Sequence, residues 1–178
     1  MTSLLRFLTR FRRHEAGISA VEFALIAPLM LLMYLGAVDV SVALTIDRKI
    51  TSTASAMADL VAQDDVITDQ EMADIFAAGQ AILVPFDGAP LQVRVSNVYM
   101  DMNDDVEVMW SDAEGMSPLA VGSTPSMPTG VLSRNTSVIM VEVSYEYNTV
   151  FNQLGIGRID IAEEFYLRPR LTSFVARD

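Results

Sequence analysis

Gly17-Ile18-Ser19-Ala20-Val21-Glu22-Phe23-Ala24-Leu25-Ile26-Ala27-Pro28 opens an apolar run that continues to Val38. From Ile18 to Val38 the single side chain charged at neutral pH is Glu22. That length matches the ~20 residues a helix needs to cross a bilayer. Arg6, Arg10, Arg12 and Arg13 precede the run, and no basic residue follows it until Arg48. The positive-inside rule therefore keeps residues 1–17 in the cytoplasm and exports the C-terminal bulk. These features predict a single-pass protein with an exported domain.

A carboxylate inside a spanning segment costs roughly 2.5–3.5 kcal/mol on insertion scales, so Glu22 needs a partner. Cleavage after Gly17 would give Ile18 a new α-ammonium, one helical turn before Glu22 at the i+4 position. The amine of a neighbouring copy could then neutralise Glu22 within the membrane.

This arrangement of basic leader, glycine, glutamate five residues on, aromatic Phe23 and apolar helix resembles the type IV prepilin signature. The stretch Ala16 to Pro28, with its leucine-rich continuation and the acidic Asp39, is similar to the TadE-like pseudopilins of the tight-adherence (Tad) pilus system. The resemblance implies cutting between Gly17 and Ile18 by a prepilin peptidase. It also implies a pairing role for Glu22 and Phe23 when helices assemble. The implied partners are other pilins and minor pseudopilins, the inner-membrane assembly platform and the inner membrane itself. It places the N-terminus in the cytoplasm and the C-terminal domain in the periplasm of a bacterium, or the whole subunit in an extracellular pilus. A membrane-anchored periplasmic adaptor that never enters a filament is the alternative.

Composition narrows the chemistry. The chain has 178 residues and a formal net charge of −11. The leader through Gly17 carries +3 and the remainder −14. Phosphate would be repelled by so acidic a body, so nucleic acid is not an expected partner. There is no cysteine, and the single histidine, His14, lies in the leader. A mature chain would lack His–Ser, His–Cys and thiolate systems, so no catalytic residue, metal ligand or cofactor is expected, and a membrane-tethered hydrolase is disfavoured. A secretory signal peptide fits poorly because the apolar run is too long and Leu35-Gly36-Ala37 is a weak cleavage site. A twin-arginine signal at Arg12-Arg13 is equally out of keeping with an intramembrane glutamate.

The predicted fold is α+β: a membrane-spanning helix that continues into a domain with a second helix and a roughly four-stranded antiparallel sheet. The segments expected are a leader over 1–17, a spanning helix over 18–38, its exported continuation over 39–63, and a periplasmic domain over 64–178. Ala43, Ile46, Ile50, Ala54, Met57 and Val61 recur at three- and four-residue intervals, the stripe of an amphipathic helix. Pro28 removes one helical hydrogen bond and predicts a kink. Thr68 and Glu71 spell a capping box that starts a second helix over about 69–83.

Alternation predicts strands at Leu91–Tyr99 and Val106–Trp110, joined by turn residues Asp101 to Asp105, with further strands at Ser137–Tyr147 and Glu163–Pro169. Asp101, Asn103 and Asp105 invite a calcium reading, but Val106 and Asp112 stand where an EF-hand needs glycine and glutamate, so a hairpin turn is expected. Residues 111–135 are rich in Ser, Thr, Pro and Gly, a flexible loop whose apolar Met116, Leu119, Val121, Met127, Val131 and Leu132 suggest packing on the domain. A short helical turn is expected around Phe151 to Leu154. Arg168 and Arg170 flank Pro169 as a basic spot that could meet acid on a neighbouring copy.

Overall fold

The computed structural model describes residues 15–152 and 157–178. Most of the leader, Arg6 to His14 included, lies outside the described residues, as does Leu154 of the expected turn near Phe151. The chain divides into two compact units, residues 1–42 and 43–178.

Helix α1 spans Glu15–Ala62, 48 residues, and continues through Pro28. It begins three residues before the expected Ile18. Glu15 and Ala16 favour helix, and one glycine costs only about 1 kcal/mol relative to alanine, too little to halt it at Gly17. In the second unit the predicted stripe is the buried one: Ile46, Ile50, Ala54, Met57 and Val61 are at most 1% exposed. Asp47, Arg48, Lys49, Ser52, Ser55 and Asp59 fall outside the buried face. The hydroxyls of Thr51 and Ser52 donate to the carbonyls of Asp47 and Arg48, so the exposed side of the helix satisfies its own polar groups.

Helix α2, Asp69–Ile82, starts on the capping box read from the sequence. The Glu71 backbone N–H donates to Thr68 Oγ1, and the Thr68 N–H donates to Glu71 Oε2 at 2.8 Å. The bond that the Glu71 carboxyl accepts from the Thr68 N–H and, to a lesser degree, the one it accepts from the Thr68 hydroxyl at 2.7 Å hold it below its ordinary range. Lys49 of α1 finishes the other end: its Nζ donates to the carbonyls of Ile82 and Val84, both at 2.8 Å. A cation there satisfies terminal carbonyls and complements the helix dipole.

Gly79 sets the spacing of the two helices. A Cβ at this position would lie 2.7 Å from Met57 Sδ and 3.4 Å from Thr53 Cγ2. Gly79→Ala is expected to change stability by less than about 1 kcal/mol, because the helix-propensity gain offsets a small shift of the Met57 side chain. Gly79→Leu should overpack the contact by about 1–3 kcal/mol. Thermal melts of the detergent-solubilised chain check both, and an unchanged melting temperature for the leucine variant would refute the contact.

The sheet has the order β3-β2-β4-β5 and is antiparallel throughout. Its strands are β2 (Leu91–Met100), β3 (Val106–Glu114), β4 (Thr136–Asn148) and β5 (Arg158–Leu167). The hairpin of β2 and β3 is as read, and its turn is held by Asp101, whose Oδ1 accepts from the backbone N–H groups of Asn103 and Asp105. Asp104 sits at φ 69° and pairs with Arg134.

Two strands differ from the expectation by more than one residue. β3 runs on to Glu114, so the loop expected from 111 begins at 115; Ser111, Asp112, Ala113 and Glu114 pair with Ser96, Val95, Arg94 and Val93. Their polar side chains hid the strand, because backbone pairing needs no apolar alternation. β5 starts at Arg158 rather than Glu163 and ends at Leu167, before Pro169, which has no N–H to give a ladder. Thr149 to Asn152 form a turn, closed by Asn152 N–H donating to the Thr149 carbonyl.

Both faces of the sheet are covered. On one, Leu91, Val93, Val95 and Asn97 of β2 alternate in register with Tyr145, Val143, Val141 and Ile139 of β4, all buried along with the apolar stripes of the two helices. On the other, Val98, Val108, Val138, Met140 and Leu132 form a second cluster, against which Leu119, Met127 and Val131 of the loop are packed. The imperfect alternation of β4 follows: Val138 to Val141 are buried in succession because each face has its own cover.

A third element was not expected. Strands β1 (Val66–Ile67) and β6 (Ala176–Arg177) make a parallel pair that ties the C-terminal tail to the link between the helices. The Val175 carbonyl accepts from Asn97 Nδ2 and from Trp110 Nε1, both at 2.7 Å and buried. Arg177 donates to Asp112 at 2.8 Å, to Asp69 at 2.6 Å and to the Ile67 carbonyl at 3.1 Å. The Asp112 bond, followed by that to Asp69, pushes its guanidinium pKa further up.

Candidate functional site: the N-terminal helix

The helical part of the first unit has no core of its own. Every large apolar side chain from Val21 to Tyr34 is more than half exposed, with Phe23 at 71% and Leu25 at 74%. An 18-residue window of this helix has a mean hydropathy of 2.1 and none of it is buried. Removing such side chains from water is worth about 1.5–3 kcal/mol each. A helix that leaves so many outside any protein core needs another apolar medium. By length and composition it can cross a membrane, which fits a single-pass anchor.

The processing, pairing and kink residues expected from the sequence all lie on this helix. Gly17 and Ile18 stand in its first turns, so the backbone at the expected processing bond is helical. Glu22 follows one turn later, exposed among the apolar side chains, and makes no hydrogen bond or ion pair among the described residues. Phe23 and Pro28 are exposed as well. Asp39, at the end of the apolar run, is 5% exposed. The structure thus lines up the expected processing and pairing positions along one helix.

Arg170, by contrast, has an intramolecular partner. Its backbone N–H donates to the Ala62 carbonyl at 2.9 Å and its guanidinium pairs with Asp59, so it closes the C-terminal turn of α1. Arg168 donates to Ser133 Oγ at 3.1 Å. The basic spot expected to meet a neighbour serves, at Arg170, as a helix cap supplied from over a hundred residues away. The tail contacts of Val175 and Arg177 escaped the sequence reading entirely; a two-residue strand has no periodicity to detect. Among the described residues no group of three or more His, Cys, Asp or Glu could hold a metal ion.

The fold and this helix together define an α+β chain in which one helix, alone among the described residues, is long and apolar enough to serve as a membrane anchor. The family model described as TadE-like protein matches residues 17–59, which takes in Gly17, Ile18, Glu22, Phe23, Pro28 and Asp39. Over that segment the chain is similar to TadE-like proteins; residues 60–178 lie beyond the match. Comparison with curated proteins and with solved structures finds no match.

Proposed function

We propose that this chain is a minor pseudopilin for Tad pilus assembly. A prepilin peptidase cuts it between Gly17 and Ile18 on the cytoplasmic side of the bacterial inner membrane. The residue 43–178 unit is periplasmic, and the subunit joins other pilins and pseudopilins through α1, in an initiation, tip or base position that supports adhesion. The chain is substrate and building block, with no catalysis, metal or cofactor of its own.

The observation that carries this reading is Glu22. It is the one charge in a helix surface that is otherwise apolar and uncovered, inside the segment matched by the TadE-like model. Its own chain offers it no described partner, and an isolated carboxylate in hydrocarbon is costly. An amine created at Ile18 of an adjacent copy supplies the missing charge. The helical backbone at residues 15–18 must open for the cut, and Gly17, a poor helix residue, lowers the cost of opening there.

Mass spectrometry of the membrane-extracted protein tests the processing step. A mature N-terminus at Ile18 is expected, with Gly17→Val leaving the leader attached. Retention of residues 1–17 in the wild type would favour the adaptor reading. Glu22→Gln should leave cleavage intact and reduce co-purification with sheared fibres at least tenfold, since the loss of about 2 kcal/mol per pairing already shifts an equilibrium that far. Normal fibre levels carrying that variant would overturn the pairing role.

A further inference from the structure

The two outer edges of the four-stranded sheet are treated differently. At the β3 edge the loop folds back: Val108 N–H donates to the Ser123 carbonyl at 2.9 Å, and Gly122 N–H donates to the Val108 carbonyl at 2.8 Å. The register of β2 on β3 also shifts at Asn97/Val98, a bulge that interrupts regular pairing there. The β5 edge has neither device. It is ten residues long and regular against β4, and among the described residues no backbone hydrogen bond reaches its outer side. An open edge of that length is a template for another strand.

We infer that the outer edge of β5 pairs with β5 of a second copy, antiparallel about a two-fold axis at Ile161. The charges on the strand select both the partner and the register. A two-fold antiparallel pair sets residues of the same face opposite each other, so the sum of paired residue numbers is even and constant. With Ile161 opposite Ile161, Arg158 of each copy faces Glu164 of the other, and Asp160 faces Ala162. Centring the axis on Ala162 would instead set Asp160 against Glu164. Centring it on Glu163 would set that residue against itself, and centring it on Asp160 would do the same for that aspartate. Like charges directly opposite are destabilising, and opposite ones stabilise. The Ile161-centred register alone among these has an attractive pair, present twice, and no repulsive one.

The groups involved are accessible. Arg158 is 58% exposed, within 3.1 Å of Glu146 and 3.3 Å of Asp160, so it can add a carboxylate across the axis without leaving those two. Glu164 is exposed and accepts a hydrogen bond from Tyr166 at 2.6 Å. The pairing would extend the sheet through two subunits to eight strands. Backbone bonds give the affinity, and the alternating side chains give the register.

The chain contains no cysteine, so introduced ones report contacts cleanly. Full-length chains carrying Asp160→Cys are mixed in detergent with full-length chains carrying Ala162→Cys and mildly oxidised. Residues directly opposite have Cβ atoms near the distance a disulfide needs. A disulfide-linked dimer of the mixed pair is expected, well above that formed by Val121→Cys, an exposed position on the loop that covers the other edge. Adding Arg158→Glu to both chains should cut the yield about threefold or more, and Glu164→Arg in the same chains should restore it. Mixed-pair yields no higher than those of the Val121→Cys control would overturn the inference, as would yields indifferent to charge reversal. Stronger cross-linking by Ala162→Cys alone would overturn it too, since that outcome places the axis on Ala162. The charge-swapped chain retains all four charges, so loss of folding does not mimic a lost contact.

Discussion

A chain ending at Phe174 is expected to lose the cooperative melting transition of the residue 43–178 unit. Four residues are removed, yet their contacts reach the link before α2, α2 itself and strands β2 and β3. Val175 is fully buried and its carbonyl is the shared acceptor for Asn97 and Trp110, which face each other across β2 and β3. Without it two buried donors go unsatisfied, at about 1–3 kcal/mol each. The same cut strips β1 of its strand partner and leaves Asp112 without Arg177, adding charge-assisted bonds worth about 1.5–3 kcal/mol each. The sum is comparable with the ~5–15 kcal/mol that holds a domain folded.

Arg177→Ala is the milder form, with an expected loss of about 2–4 kcal/mol and a melting temperature lower by roughly 10 °C. Circular dichroism melts of the detergent-solubilised chain measure both. A truncated chain that melts within a few degrees of the wild type would show that the tail is not structural.

Arg94 and Glu142 give the second large effect, and one that largely disappears when both are changed. They form a fork on neighbouring strands, with Nε to Oε2 at 2.6 Å and Nη2 to Oε1 at 2.5 Å, each side chain about one-fifth exposed. The bond to Glu142 is the main reason that the Arg94 pKa is raised, and Glu164 adds to it. Arg94 also donates to the Ser117 carbonyl at 3.1 Å, holding the start of the loop.

Arg94→Met is expected to cost about 2–4 kcal/mol, somewhat less than the 3–5 kcal/mol for a fully buried pair because water still reaches the site. Glu142 would then be left half-buried with Glu164 as its charged neighbour across β4 and β5. Glu142→Leu added to Arg94→Met should recover most of that loss, since two apolar side chains need no partner there. The double-mutant cycle in urea measures the coupling. Additive single effects would mean that the pair is a surface ornament and that the loop, not the charge, accounts for the Arg94 loss.

The parts of this protein legible in its sequence are those whose physics is local. An apolar run of spanning length beside four arginines, a three-and-four stripe from Ile46 to Val61, and a threonine three residues before a glutamate each determine an element from residues within a few turns. The alternation of β2 is equally direct, because both of its ends are marked by turn residues. The helix start at Glu15 departs from the reading for a local reason too, since one glycine is a weak stop.

Contacts made at long range had no such signal. Ser111 to Glu114 look like loop until β2 lies alongside, and residues 115–135 look like linker until Leu119, Met127 and Leu132 meet the uncovered face of β2 and β4. Arg170 and Arg177 look like a free basic tail, yet their acceptors Asp59, Asp69 and Asp112 lie some 65 to 111 residues away. Hydrogen bonds and charges are directional, and nothing in the order of residues says which distant acceptor will be within 3 Å. The sequence by itself determined the anchor helix, its lone glutamate and the α+β class. Only the tertiary structure decided which residues bind the C-terminal tail, what covers the second face of the sheet and which sheet edge stays open.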